Sequence, residues 1–132
     1  MSDLQILALT VAWTWIGLIL ASLNRTRSWT PTGMRVAFGY RDDVPPSTAF
    51  SRRFDRVTNN MLENLPLFTA ALLAAHLAGV AQDRLVGAAW LLLGSRVVYL
   101  AVGLAGIPYL RTAVWGVGVF ATLELVALVV VR

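Results

Sequence analysis

The chain has 132 residues, 58% hydrophobic and only 14% charged, with a mean hydropathy of +0.69. An average soluble domain carries roughly 25% charged residues, so this composition excludes an ordinary water-soluble globule and indicates an integral membrane protein of one domain. A net charge of +4 and a pI near 10.7 do not signal a nucleic-acid ligand, because all eleven basic residues are arginines and seven lie in one connection between apolar segments. Membrane orientation accounts for that distribution.

Four apolar windows, residues 4–23, 57–80, 85–105 and 109–131, are long enough to cross roughly 30 Å of hydrocarbon. The first begins almost at Met1 with no basic leader and no clear cleavage motif, which reads as a retained helix. The connection at residues 24–56 holds Arg25, Arg27, Arg35, Arg41, Arg52, Arg53 and Arg56, and the third connection adds Arg111. By the positive-inside rule both face the cytoplasm, and both termini lie on the far side. Pro45 and Pro46 deny the first connection a continuous helix. Its mixture of Arg and Asp with Trp29, Phe38 and Tyr40 suits either a segment at the lipid headgroups or a flexible surface loop. The short second and third connections predict antiparallel neighbours in an up-and-down bundle.

The second window opens with a polar cluster in RVTNNMLENLPLF. At about 100° of rotation per residue, Asn60 lies about 40° from Arg56 and Glu63 about 20° to its other side, so one narrow face carries a cation, an amide and an acid. Polar groups in such a medium usually face a bundle interior or a cavity and mark a functional site. From the rise per residue, Glu63 sits roughly 10 Å and Arg96 roughly 13 Å inside the cytoplasmic surface. Matched depth predicts an ion pair between them, which a structural role alone would also explain.

Tyr99 follows Arg96 on nearly the same helical face, and Gly103, a further turn on, is expected to leave open space. Arg111 opens the last window beside Thr112, with Trp115 one turn deeper. An arginine there either anchors to lipid phosphate or stabilises an anion or thiolate. Glu124 lies roughly 22 Å from the cytoplasmic end with no evident partner, and His76 faces away from the polar stripe as a packing or interfacial residue. The single histidine and the lack of cysteine offer no metal site. Any thiol chemistry must use a ligand's sulfur.

RVTNNMLENLPLF and RVVYLAVGLAGIPYLRTAVW, in this order, resemble the membrane-associated proteins in eicosanoid and glutathione metabolism, the MAPEG family. The resemblance covers roughly residues 50 to 116 and is similar to the bacterial branch. It implies an all-α integral membrane protein, a bundle of four transmembrane helices assembled as a homotrimer in a bacterial inner membrane. Glutathione would lie between subunits near the cytoplasmic side, held by Arg56, Asn60, Glu63, Arg96 and Tyr99. Arg111, with Thr112 nearby, would stabilise the glutathione thiolate for attack on a lipophilic small molecule. The chain departs from the family pattern at Gly103, where relatives often carry a tyrosine. The alternative reading is a non-catalytic membrane subunit or lipid-binding scaffold.

Overall fold

The computed structural model describes residues 1–131, and those residues form five helices. Helix α1, Asp3–Thr26, begins at a capping box in which Ser2 Oγ accepts the Gln5 amide and the Gln5 side chain accepts the Ser2 amide. It stops where Arg27 takes the left-handed conformation, φ 54°. Helix α2, Pro31–Phe38, starts on the Thr30 hydroxyl, which accepts the Gly33 amide. Gly33 is obligatory there, since a Cβ would run into the Thr26 and Arg27 carbonyls. The short helix is therefore locked against the end of α1.

Helix α3, Ala49–Leu77, is capped by Thr48, whose Oγ1 accepts the Ser51 amide at 3.0 Å, and it continues through Pro66. Helix α4 runs Gln82–Ala105, ending at Gly106 with φ +77°, and α5 runs Pro108–Val130 with proline at its first position. A positive φ suits glycine at a helix C-terminus, and N1 is where proline loses no hydrogen bond.

One sequence expectation needs correction. The connection expected over residues 24–56 contains α2 and the first turns of α3, which begins eight residues before the apolar window at 57. Arg52, Arg53, Asp55 and Arg56 depress hydropathy without opposing a helix, so the capped start lies inside a polar stretch. Three helices, α1, α4 and α5, are long and apolar enough to cross a membrane. Helix α3 has the length, at 29 residues, but its first half is polar.

The four long helices run antiparallel to their chain neighbours. Asn24 at the end of α1 accepts the Ser51 hydroxyl at the start of α3 at 2.8 Å, while Asp3 at the start of α1 meets His76 at the end of α3. Helices α3 and α4 form the central pair, with α1 and α5 each packed on both. The core falls into two apolar clusters, one around Ile6, Phe68, Leu72, Leu85 and Leu125, the other around Phe54, Val57, Met61, Tyr99 and Leu100.

Gly103 does not leave open space. A Cβ there would collide with Val57 Cγ2, so the absent side chain is what lets α4 approach α3. Overpacking a dense interface costs about 1–3 kcal/mol. Gly103→Leu is expected to destabilise the detergent-solubilised protein by that amount in thermal unfolding, and Val57→Ala in the same chain to restore part of the loss.

Candidate functional site

A layer of polar side chains separates the two apolar clusters. Thr10 and Thr14 of α1 donate their hydroxyls to the Ile6 and Thr10 carbonyls, each at 2.9 Å, which uses their hydrogens and leaves only their lone pairs. Against them, with Asn64 and Met61 of α3, lies Arg96 of α4, only 2% exposed. Its contacts are long: Nε donates to Ser95 Oγ and Nη2 to the Trp115 carbonyl, both at 3.4 Å. Nη1 is buried with no partner among the described residues. Space for the guanidinium exists because position 118 on α5 is glycine, where a Cβ would strike Arg96 Nη2.

The Glu63 to Arg96 ion pair is therefore not formed. Arg96 turns toward α5, where Gly118 makes room, whereas Glu63 is exposed on the outward face of α3 and makes no ion pair among the described residues. The expected pairing fails because the two side chains point in different directions. Arg96 instead packs on Tyr99, its Cζ 5.3 Å from the ring centroid, a geometry in which the cation is attracted by the ring face.

Tyr99 connects this layer to an open cavity of about 180 Å³ lined by Asn60, Tyr99, Arg111, Thr112 and Trp115. Four of the seven site residues expected from sequence, Asn60, Tyr99, Arg111 and Thr112, thus meet from α3, α4 and α5. Arg56 and Glu63 share the stripe with Asn60 but point outward, and Arg96 lies behind the tyrosine rather than in the cavity. The Asn60 Oδ1 is buried without a donor among the described residues, although the Asn60 carbonyl accepts the Asn64 side-chain amide at 2.7 Å. The Thr112 hydroxyl donates to the Pro108 carbonyl at 3.1 Å, so toward a ligand it offers lone pairs rather than its hydrogen.

Chemically, the cavity presents a guanidinium, a phenol, a side-chain amide and an indole on one wall. That set suits a ligand with both an anionic group and a peptide N–H. Sequence reasoning missed Arg53, whose Nε is buried without a partner and which lies against the Gly106 turn. The signal was present, since Arg53 is two turns before Asn60 and extends the same stripe.

Two other expectations change. Glu124 does have a partner, Arg84 of α4, with Nη1 to Oε1 at 3.5 Å. His76 is not merely a packing residue: its Nδ1 lies 2.8 Å from Oδ2 of the fully buried Asp3, whose Oδ1 accepts the Gln82 side-chain amide at 2.8 Å. Among the described residues no three of His, Asp and Glu converge in a way that would hold a metal ion.

Replacing a buried, poorly paired charge by an apolar side chain of similar length is often neutral or stabilising by about 1–4 kcal/mol. Arg96→Met is expected to hold or raise the unfolding temperature, whereas Gly118→Ala lowers it. In the double variant the Gly118→Ala penalty should shrink, because the guanidinium it strikes is gone and only the close approach to Ser95 Oγ remains; an undiminished penalty would place the collision elsewhere.

The model of the family described as MAPEG family matches residues 4–131, nearly the whole chain. No curated protein and no solved structure matches significantly.

Proposed function

The chain belongs to the MAPEG family, and on that premise we propose that it binds glutathione and transfers it to lipophilic electrophiles, or uses it to reduce lipophilic peroxides. The observation that carries this reading is the meeting of Asn60, Tyr99, Arg111 and Thr112 in one open cavity. A guanidinium beside a thiol favours the ionised, nucleophilic form, and Arg111 takes that role. The sulfur then bonds to the electrophilic carbon as the leaving group departs with the bonding pair, and the thiol proton passes to water.

The donor set fits the tripeptide in kind. The Asn60 side-chain amide can pair with a peptide group, and the Tyr99 hydroxyl can donate to a carboxylate or thiolate. In size the protomer supplies only part of a site, since about 180 Å³ is below the roughly 300–1,000 Å³ of ordinary ligand pockets. In this reading the protein is a homotrimer, the neighbouring subunit supplies the missing wall, and Arg56 and Glu63 face it. All four long helices then cross the membrane, the polar first turns of α3 being covered by that neighbour. The arginine-rich connection lies on the cytoplasmic side of a bacterial inner membrane, the termini on the other, and the lipophilic substrate enters from the bilayer.

Calorimetry of the purified protein with glutathione, beside conjugation of an aromatic halide, tests the proposal. Arg111→Ala should lower kcat/KM by about 10²-fold or more, the scale for losing one group that stabilises developing charge. Asn60→Ala should weaken glutathione binding with the assembly intact. No binding heat, together with conjugation unchanged in Arg111→Ala, would reject the reading.

A further inference from the structure

The first connection carries seven arginines against three aspartates, and that excess equals the net charge of +4 for the whole chain. Within it, α2 and the residues flanking it carry exposed rings. Trp29 is 66%, Phe38 85% and Tyr40 98% exposed, and Met34 lies one turn before Phe38 on the same side. Arg27 and Arg35 are exposed beside them, while Arg41 donates to Ser22 Oγ at 3.1 Å and ties the far end of the segment back to α1.

The position of this face is not free. Helix α1 has 24 residues, about 36 Å at 1.5 Å per residue, slightly more than the roughly 30 Å hydrocarbon layer. Its end, and the short helix that Gly33 locks against it, therefore lie at the level of the headgroups. Rings at that level are stabilised by having an apolar body and a polar edge, and an amphipathic helix with arginine on its rim lies in the interface plane. The structure also fastens the segment to α3: Arg25 Nη1 donates to the Pro45 carbonyl at 2.7 Å, and Arg25 Nε lies 3.8 Å from Asp55.

We propose that the exposed segment of residues 27–40, α2 with its flanks, seats on the anionic phospholipid headgroups of the adjacent leaflet, with Trp29, Phe38 and Tyr40 as anchors and Arg27 and Arg35 as charge partners. The charge excess selects the occupant. A neutral surface would accept the aromatic rings but gain nothing from the arginines, whereas each arginine near an anionic surface favours association about fivefold. This surface is independent of the cavity at Arg111 and does not require that glutathione be bound.

The chain contains no cysteine, so Phe38→Cys in the full-length protein accepts a single environment-sensitive dye. The labelled protein is reconstituted into vesicles of phosphatidylcholine alone and of phosphatidylcholine with phosphatidylglycerol. In the anionic vesicles the dye should be blue-shifted and shielded from an aqueous quencher. Shielding should fall at 1 M salt, where the Debye length shrinks from about 10 Å to about 3 Å. Arg27→Asn with Arg35→Gln should lower the ratio of seated to lifted segment about 25-fold, at about fivefold per charge. If the labelled variant fails to fold, the difference in quenching between the natural chain and Trp29→Phe reads the same seating. Equal shielding in both lipids, or shielding that follows protein density rather than lipid charge, would overturn the proposal, the second outcome assigning the face to another copy of the chain.

Discussion

A guanidinium inside the bundle, with no carboxylate beside it, constrains how the other helices can be arranged. Arg96 is almost fully buried, and its two hydrogen bonds are long. Charge in such surroundings is unfavourable unless neighbouring groups compensate it, and here the compensation is spread over a serine hydroxyl, a backbone carbonyl and the Tyr99 ring. Gly118 is needed so that α5 can lie over the guanidinium, and Gly103 so that α3 can close on α4 one turn beyond Tyr99. The tyrosine is thus pinned between a cation and a close helix contact, at the wall of the cavity where Asn60 and Arg111 also end.

The two ends of the bundle are fastened by different chemistry. At one end the buried Asp3 carboxylate gathers His76 and Gln82, joining the start of α1 to the turn between α3 and α4, and Arg84 reaches Glu124 across α4 and α5. At the other, hydroxyl and amide contacts between Asn24 and Ser51, with Arg25 on the Pro45 carbonyl, hold the start of α3 to the end of α1. Such contacts hold helix ends that apolar packing alone would leave free to slide, because hydrocarbon offers no hydrophobic penalty against which helices could lock. The ends nearest the cavity are consequently set by α1 and its connector as much as by the helices that carry the site.

Much of this was legible in the chain. The apolar windows located α1, α4 and α5 to within a few residues, since for these helices hydropathy and helix extent coincide. They diverge at α3, where a cap at Thr48 starts a helix through arginines that a hydropathy window rejects. The stripe of Arg56, Asn60 and Glu63 followed from helical periodicity. The rise per residue, used to match Glu63 with Arg96, did not reveal direction. Arg96 turns toward α5 because of a glycine 22 positions later, a relation that no local pattern contains. Glu124 is a second case: its partner Arg84 sits in the first turn of α4, 40 positions earlier, a pairing across the bundle that no local pattern contains.

The outward charges on α3 carry the argument one step further. Arg56 and Glu63 are separated by about two helical turns on one exposed face, and between them Asn60 turns partly inward with an unfilled acceptor. If the stripe served only to join helices within a protomer, its charged members would point to the core, where Arg96 lacks a counter-ion. They do not: Glu63 makes no ion pair among the described residues, and Arg96 is held by a serine hydroxyl, a carbonyl and the Tyr99 ring. In the proposed assembly a neighbouring copy would lie against the exposed charges of α3, and glutathione would complement Asn60 and Arg111 at the cavity.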